Sequence, residues 1–249
     1  MNQQPKRLKV ILIGDSCIDE YHYGTVDRIS PEAPVPIFVP KRIVSKNGMA
    51  ANVSENLKAL GVEVISYFGK NSVKVRMIDE RSNQHLMRID TDIISEKLPS
   101  NTYFPNDVDG IIISDYNKGF VSYELIEQLL STGIQIFIDT KKKNLNSFSG
   151  AFVKINQIEF NEAKTLPKSG ENLIVTMGKE GVMWNKKMYD VPDVEISDVC
   201  GAGDTFLAAF AYEYLQTKSG DKAIEFAIKA AAITVQHIGV YAPTLEEIL

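Results

Sequence analysis

The sequence has few of the residues that build disulfide or metal sites. Its 249 residues include two cysteines, Cys17 and Cys200, and three histidines. The cysteines are far apart and have no metal-ligand spacing, so neither a disulfide framework nor a zinc site is predicted. Because the sequence also begins without a secretory leader, we expect a protein of the reducing cytoplasm.

The sequence also has no excess of positive charge and no long apolar run. The formal net charge of −5 argues against a general binder of nucleic acid or of membrane surfaces. It leaves room for an anionic small substrate, which needs only a local cluster of lysine and arginine. No stretch is long and apolar enough to span a membrane. The P-loop pattern Gly-x-x-x-x-Gly-Lys-Ser/Thr is absent, which excludes that class of nucleotide-binding protein.

What the sequence does contain is a series of apolar, strand-like runs that end in polar residues. Asp15, Asp115, Asp139 and Asn156 each follow such a run. The runs alternate with helical patterns, which is typical of a mainly parallel sheet covered by helices on both faces. Carboxyl ends of parallel strands meet at one edge, so these side chains predict one site there. The alternative is that they only form turns.

A glycine-rich turn near the C-terminus is the strongest single signal. Gly201-Ala202-Gly203-Asp204 precedes an apolar run that predicts a buried helix. The free N–H groups at a helix start bind anions, and glycine lets a phosphoryl group approach them closely. An aspartate beside a phosphate is repelled unless it takes a proton from an attacking hydroxyl. The alternative is that Asp204 is a favourable first-turn helix residue.

Other candidates are weaker when taken alone. Asn52 could bind a sugar hydroxyl or could face solvent. Lys118, Arg76 and Arg88 are hypothetical ligands of a substrate phosphate, or plain surface charges. Asn156 and Glu159 have capping-box spacing, and a Mg²⁺ role through water is the functional alternative.

Several motifs together resemble the ribokinase-like (PfkB) carbohydrate kinases over the whole chain. Gly48-Met49-Ala50-Ala51-Asn52 is similar to that family's N-terminal signature, and the stretch from Asp198 to Asp204 is similar to its C-terminal one. Within the family, the sequence most resembles the kinases of D-glycero-β-D-manno-heptose 7-phosphate. Four stretches carry this likeness: Gly14-Asp15 with Asp19, residues 28–36 with Ser-Pro-Glu-Ala-Pro-Val-Pro, residues 83–90, and residues 114–119.

The resemblance implies a role for each matching residue. Asp204 would be the base, and the amides of Gly201, Ala202 and Gly203 would form the anion hole. The sugar would be bound by Asp15, Asp19, Gly48 and Asn52. Asn156 and Glu159 would organise Mg²⁺ and the ATP phosphates, and Thr176, Gly178 and Asp198 would lie on the nucleotide side. A monovalent cation is a further candidate, and so is a homodimer formed through a β lid.

The expected architecture is a single α/β domain over residues 1–249, with three layers and a small β lid at about 20–45 and 72–90. The chain departs from the family pattern at Cys200, where threonine is usual, and at Met49, where a second glycine is usual. It also runs from Gly69 almost directly to the next strand, so one helix–strand unit is predicted to be lost. These departures keep two alternatives open: a kinase for another sugar or sugar phosphate, and a non-catalytic nucleotide- or sugar-binding protein.

Overall fold

A computed structural model describes residues 7–168 and 172–249, which form two sheets and six α-helices. The strands are β1 (Lys9–Gly14), β2 (Ser16–Ile29), β3 (Pro36–Met49), β4 (Glu63–Phe68), β5 (Ser72–Asp79), β6 (His85–Thr91), β7 (Gly110–Asp115), β8 (Ile136–Thr140), β9 (Phe152–Asn156), β10 (Leu173–Thr176), β11 (Val182–Trp184) and β12 (Lys187–Tyr189). The helices are α1 (Ala50–Ala59), α2 (Tyr123–Leu130), α3 (Gln157–Glu162), α4 (Ala202–Thr217), α5 (Gly220–Thr234) and α6 (Leu245–Ile248).

The larger sheet has eight strands in the order β12-β11-β10-β9-β8-β7-β1-β4. The strands from β10 to β4 pair in parallel, and β11 and β12 complete the other edge antiparallel. Alternate residues of β1 pack into different cores: Val10 and Leu12 join one cluster with α4 and α5, and Ile11 and Ile13 join the other with α2. Each face of the sheet is therefore covered by helices, which confirms the predicted three-layer α/β fold.

The parallel order places the predicted polar residues side by side. The strands β9, β8, β7 and β1 are consecutive neighbours, so Asn156, Asp139, Asp115 and Asp15 follow one another along one edge. The helix α1 begins directly after β3, so the chain enters α1 as it leaves the smaller sheet. The topology thus gathers side chains from distant parts of the sequence at a single edge.

The smaller sheet has four strands in the order β3-β2-β5-β6 and corresponds to the predicted lid. Residues 21–28 belong to the long strand β2, and residues 37–44 lie within one continuous strand, β3. The pairing of β2 with β3 shifts register near Gly24. Pro40 is tolerated in β3 because β3 is an edge strand, in which proline can lie where no N–H is needed for pairing.

The lid is joined to the larger sheet by a very short connection. β4 ends at Phe68 and β5 begins at Ser72. β4 is the edge of the larger sheet, and no strand among the described residues lies beyond it. This arrangement agrees with the predicted loss of one helix–strand unit after Gly69. None of the described helices has the length and apolar character that a membrane span requires.

The helix α4 carries the functional turn and is anchored by an aromatic cluster. Phe210 is 1% exposed and contacts the rings of Phe137, Phe152 and Tyr214 at centroid distances of 5.9, 5.1 and 6.1 Å. The helix is buried along most of its length because it lies between the sheet and the helices α1 and α5. The position of the turn at its start therefore depends on core packing.

We predict that Phe210→Ala lowers the free energy of unfolding by about 3–5 kcal/mol, because the cavity left in the cluster cannot be refilled. Denaturant unfolding followed by circular dichroism would measure this. Tyr103→Ala is the matched control, since Tyr103 is 79% exposed and should lose less than about 1 kcal/mol. Equal losses for both variants would contradict the packing argument.

Candidate active site

The glycine turn before α4 has a backbone shape that few other residues can adopt. Gly201 has φ 79°, in the left-handed region, and α4 begins at the next residue. A β-carbon on Gly201 would lie 2.8 Å from Asn52 Nδ2 and 3.0 Å from Val240 Cγ1. Glycine is therefore required both by conformation and by space. The turn opens a sixteen-residue helix, whose N-terminus is a place where an anion can bind; its first N–H, that of Ala202, donates to the Val199 carbonyl oxygen at 3.4 Å.

Asp204, in the first turn of α4, is held by two hydrogen-bond donors. Asn52 Nδ2 donates to Oδ2 at 2.9 Å, and the Tyr116 hydroxyl donates to Oδ1 at 3.1 Å. Burial raises the pKa of Asp204 to about 6, although the Asn52 hydrogen bond lowers it, and the nearby Asp139 and Lys154 act in opposite directions. A carboxylate with this pKa can accept a proton from a hydroxyl near neutral pH.

Asn52 is itself fixed by a neighbour one turn along α1. Asn56 Nδ2 donates to the backbone oxygen of Asn52 at 2.9 Å and to its side-chain oxygen at 3.3 Å. The side-chain oxygen is thereby occupied, and the NH₂ group is left to face Asp204. The helix α1 therefore delivers an oriented donor to the predicted base.

The predicted sugar ligands lie next to the base, at the lid-facing side. Asp15 is 2% exposed; its Oδ2 accepts from the Lys118 backbone N–H at 3.0 Å, and its Oδ1 has no partner among the described residues. Burial raises the pKa of Asp15. Gly48 lies opposite Cys17 in the β2–β3 pairing, next to Asp19. The structure thus brings Asp15, Asp19, Gly48 and Asn52 together, as their predicted common role requires.

Asp19 connects the lid to the glycine turn through Arg76. Arg76 Nη2 donates to Asp19 Oδ1 at 2.9 Å and to Cys200 Sγ at 3.3 Å. Both partners of the ion pair are buried. Cys200, which stands where the family usually has threonine, is therefore the point at which the loop before the turn contacts the lid.

The three predicted ligands of a substrate phosphate are placed differently. Arg76 and Arg88 are opposite each other in the β5–β6 pairing and share the lid face that carries Asp19. Arg88 Nε is 2.8 Å from Asp90 and is half exposed, whereas Lys118 is paired with Asp92. All three cations therefore have a carboxylate partner, and their binding of a phosphate stays a prediction.

Two adjoining cavities meet at the glycine turn. One, of about 590 Å³, is polar and is lined by residues that include Tyr116, Asn156 and Asp204. The other, of about 440 Å³, is mainly apolar, with Val191, Phe206 and other apolar side chains in its wall. The two share four residues: Thr176, Gly178, Val199 and Gly203. An apolar compartment that continues into a polar one suits a nucleotide base followed by its phosphates.

Asn156 and Glu159 form the capping box that the sequence predicts for α3. The Asn156 side chain accepts from the Glu159 N–H at 2.9 Å, and Glu159 Oε2 accepts from the Asn156 N–H at 2.7 Å. The other Glu159 oxygen is paired with Lys141. Among residues 7–168 and 172–249 there is no cluster of three or more metal-binding side chains. This sparse set of oxygen donors fits Mg²⁺, which usually keeps several waters and is shared with substrate phosphates.

Asp198, predicted on the nucleotide side, contacts backbone groups of two loops. Oδ1 accepts from the Cys200 N–H and Oδ2 accepts from the Gly239 N–H, both at 3.0 Å. It therefore ties the loop that carries the glycine turn to the loop after α5. Its contact with a nucleotide or a cation stays a prediction.

Sequence reasoning missed several residues of the site. Tyr116 was not selected, although it lies in a polar loop directly after the predicted strand β7. Lys154 was not selected either; it forms a buried ion pair at 2.7 Å, in the wall of the polar cavity, with Asp139, a strand-end residue that the sequence did predict. A lysine inside the apolar run of β9 was the available signal. The apolar wall at residues 191–199 has no comparable pattern, because an irregular segment shows no periodicity.

Residues 150–247 match the family model described as pfkB family carbohydrate kinase. A curated relative, the bifunctional protein HldE of Helicobacter acinonychis, is 30% identical over an alignment that covers 96% of this chain and 65% of that protein. The chain belongs to the pfkB family of carbohydrate kinases. It spans about 65% of the length of that relative. The alignment runs over 309 positions, more than this chain has residues, so the relative contains segments that this pfkB chain lacks.

Solved structures confirm the ribokinase-like fold of this pfkB chain. The ribokinase of Thermotoga maritima has a TM-score of 0.70 at 19% identity, covering 97% of this chain and 98% of that one. The Arabidopsis thaliana ribokinase complexed with ribose and ATP has a TM-score of 0.69 at 14% identity, covering 98% of each chain. At these identities the likeness concerns the fold alone.

We predict that activity rises with pH through about 6, the pKa of Asp204, because the base must be deprotonated to accept a proton. Asn52→Ala removes a hydrogen bond that lowers this pKa, so the rise in kcat/KM should move to higher pH. Tyr116→Phe removes the second donor and should move it in the same direction. A pH profile of kcat/KM for the wild type and both variants measures this. A wild-type rise centred near 4 would contradict a buried base.

Proposed function

We propose that this chain is an ATP- and Mg²⁺-dependent kinase that transfers the γ-phosphoryl group to O1 of D-glycero-β-D-manno-heptose 7-phosphate. The observation that carries the kinase chemistry is the position of Asp204. It is buried at the start of α4, is held by Asn52 and Tyr116, and lines the same cavity as the glycine turn. A base and an anion-binding turn within one cavity are the two groups that phosphoryl transfer to a hydroxyl requires.

The reaction follows from this arrangement. The Asp204 carboxylate takes the proton of the sugar hydroxyl, whose oxygen then forms a bond to the γ-phosphorus. The bond from that phosphorus to the bridging oxygen breaks, and ADP leaves with the electron pair. The N–H groups of Gly201, Ala202 and Gly203 stabilise the charge that develops on the transferring group.

Mg²⁺, when bound, neutralises charge on the ATP phosphates. Asn156, which lines the polar cavity, and Glu159, which is hydrogen-bonded to it, are the residues that would hold it, through water. Thr176 and Gly178 line both cavities and would contact the nucleotide between base and phosphates. The Arabidopsis thaliana ribokinase of the same fold is complexed with ATP, which supports ATP as the nucleotide. The loop held by Asp198 is our candidate place for a monovalent cation.

The heptose substrate is supported by the motifs of the lid and of the strand ends. Residues 28–36 lie at the turn between β2 and β3, and Asp19 and Arg76 lie on the inner face of the lid. Of these, Asp19 and residues 28–36 belong to the stretches in which the sequence resembles heptose kinases. A sugar that carries its own phosphate also suits the inner lid face, where Arg76 and Arg88 are adjacent.

The assay of ADP release from ATP and Mg²⁺ tests the reaction and its substrate. We expect turnover with the heptose 7-phosphate and none with ribose, fructose or fructose 6-phosphate. Asp204→Asn should lower kcat by roughly 10²–10⁴-fold, the contribution of a general base. Turnover on another of these sugars would retain the kinase and reject the heptose. ATP binding without turnover on any sugar would favour the non-catalytic alternative.

We further propose that two copies associate through the outer face of the lid. The residues on this face alternate with those that face the site, and five of them are apolar: Ile43, Val75, Met77, Met87 and Ile89. Glu20 and His22, which are paired with each other, lie among them. Ile43 is 56% and Met87 55% exposed. An apolar sheet face of this kind is unusual on a monomer and typical of an interface.

We predict that light scattering of the purified chain gives twice the mass of one chain, and that Met87→Lys gives the mass of a single chain, because a buried lysine opposes association. Tyr103→Lys, at an exposed position outside the lid, is the control and should leave the dimer intact. A single-chain mass for the wild type would reject the proposed dimer.

A further inference from the structure

The buried ion pair between Lys154 and Asp139 is placed where a phosphoryl group would arrive. Lys154 Nζ is 2.7 Å from Asp139 Oδ2, and both side chains are nearly inaccessible to solvent. Lys154 comes from β9 and Asp139 from the adjacent strand β8, so both belong to the carboxyl edge of the sheet. Both also line the polar cavity that contains Asp204.

The Lys154 ammonium is in close contact with the glycine turn. A β-carbon built on Gly203 would lie 2.8 Å from Nζ and 3.9 Å from Asp139 Oδ2. Gly203 therefore gives the ammonium room to lie beside the N-terminus of α4. The ammonium and the helix N-terminus give this end of the cavity groups that can donate to an anion, although the cavity also contains two carboxylates.

The pair is electrostatically prepared for an anion. Asp139 uses one oxygen for Lys154, and an ammonium has three hydrogens to donate. Lys154 can therefore keep its bond to Asp139 and still donate to a phosphate oxygen.

The other lysine of this cavity is differently placed. Lys141 is paired with Glu159 and its side chain is 40% exposed, against 7% for Lys154. A buried cation gains more from a bound anion than an exposed one does, because the local dielectric constant is lower. The geometry therefore singles out Lys154.

We propose that Lys154 is a catalytic residue whose ammonium binds the γ-phosphoryl group of the nucleotide during transfer, and that Asp139 is the residue that positions it. This inference rests on the proposed kinase function and extends its anion hole from backbone N–H groups to a charged side chain. It predicts that Lys154 contributes to the binding of the terminal phosphate and not to the binding of the nucleoside.

Calorimetric titration with Mg²⁺ and either ADP or the β,γ-imido analogue of ATP separates these contributions. For Lys154→Met we expect unchanged affinity for ADP and a loss of about 10–100-fold for the ATP analogue, as for one hydrogen bond to a charged group. The kcat for phosphoryl transfer should fall by roughly 10²–10³-fold, the cost of removing one anion-hole donor. Lys154→Arg, which keeps the charge, should recover part of both losses.

The matched control is Lys142→Met. Lys142 also forms a buried ion pair, with Asp115 at 2.9 Å, and it lines neither cavity. Both variants should lose similar thermal stability, because each leaves a buried carboxylate without its cation. Lys142→Met should keep the wild-type preference for the ATP analogue over ADP.

If Lys154→Met does not fold, Lys154→Met with Asp139→Asn removes both charges and should show the same selective loss. Equal losses for ADP and the ATP analogue, or a kcat within about threefold of the wild type, would overturn the proposal and leave Lys154 as a structural partner of Asp139. A wild type that binds neither nucleotide would instead reject the proposed kinase function, and this inference with it.

Discussion

The site depends on keeping one carboxylate, that of Asp204, buried and correctly hydrogen-bonded at the start of α4. A buried carboxylate is costly unless donors compensate it, and here the donors come from α1 and from the loop after β7. These elements meet only because the parallel sheet places β7 beside β1 and because α4 packs against α1. The aromatic cluster around Phe210 fixes α4 in turn, so core packing and the chemistry of the site are directly linked.

Charge balance is a second constraint on the same edge of the sheet. Three carboxylates near strand ends are matched by buried or nearly buried cations: Asp19 by Arg76, Asp115 by Lys142 and Asp139 by Lys154. Pairing lets these groups remain charged in a region of low dielectric constant. A nucleotide polyphosphate entering the cleft adds negative charge, and the cations nearest to its path have the most to gain from it. This is the physical basis for assigning Lys154 to the transferring group.

The lid is joined to the loop before α4 through the arginine side chain of Arg76. Arg76 contacts Asp19 on the lid and Cys200 beside the glycine turn, so one side chain joins the two elements. The short connection between β4 and β5 makes the lid a direct continuation of the sheet edge. Cys200 has a thiol where the family usually has the hydroxyl of threonine, so the Arg76 guanidinium donates to a weaker hydrogen-bond acceptor.

The sequence by itself determined the three-layer α/β fold, the strand ends, the glycine turn and most of the residues gathered there, because these depend on local periodicity and on residues with special backbone properties. It could not show that β2 lies between β3 and β5, because only the tertiary structure brings these strands together. Nor could it show that Tyr116 reaches Asp204 or that Lys154 reaches Gly203. Those contacts join residues 88 and 49 positions apart in sequence, and only the parallel order of the strands brings them together.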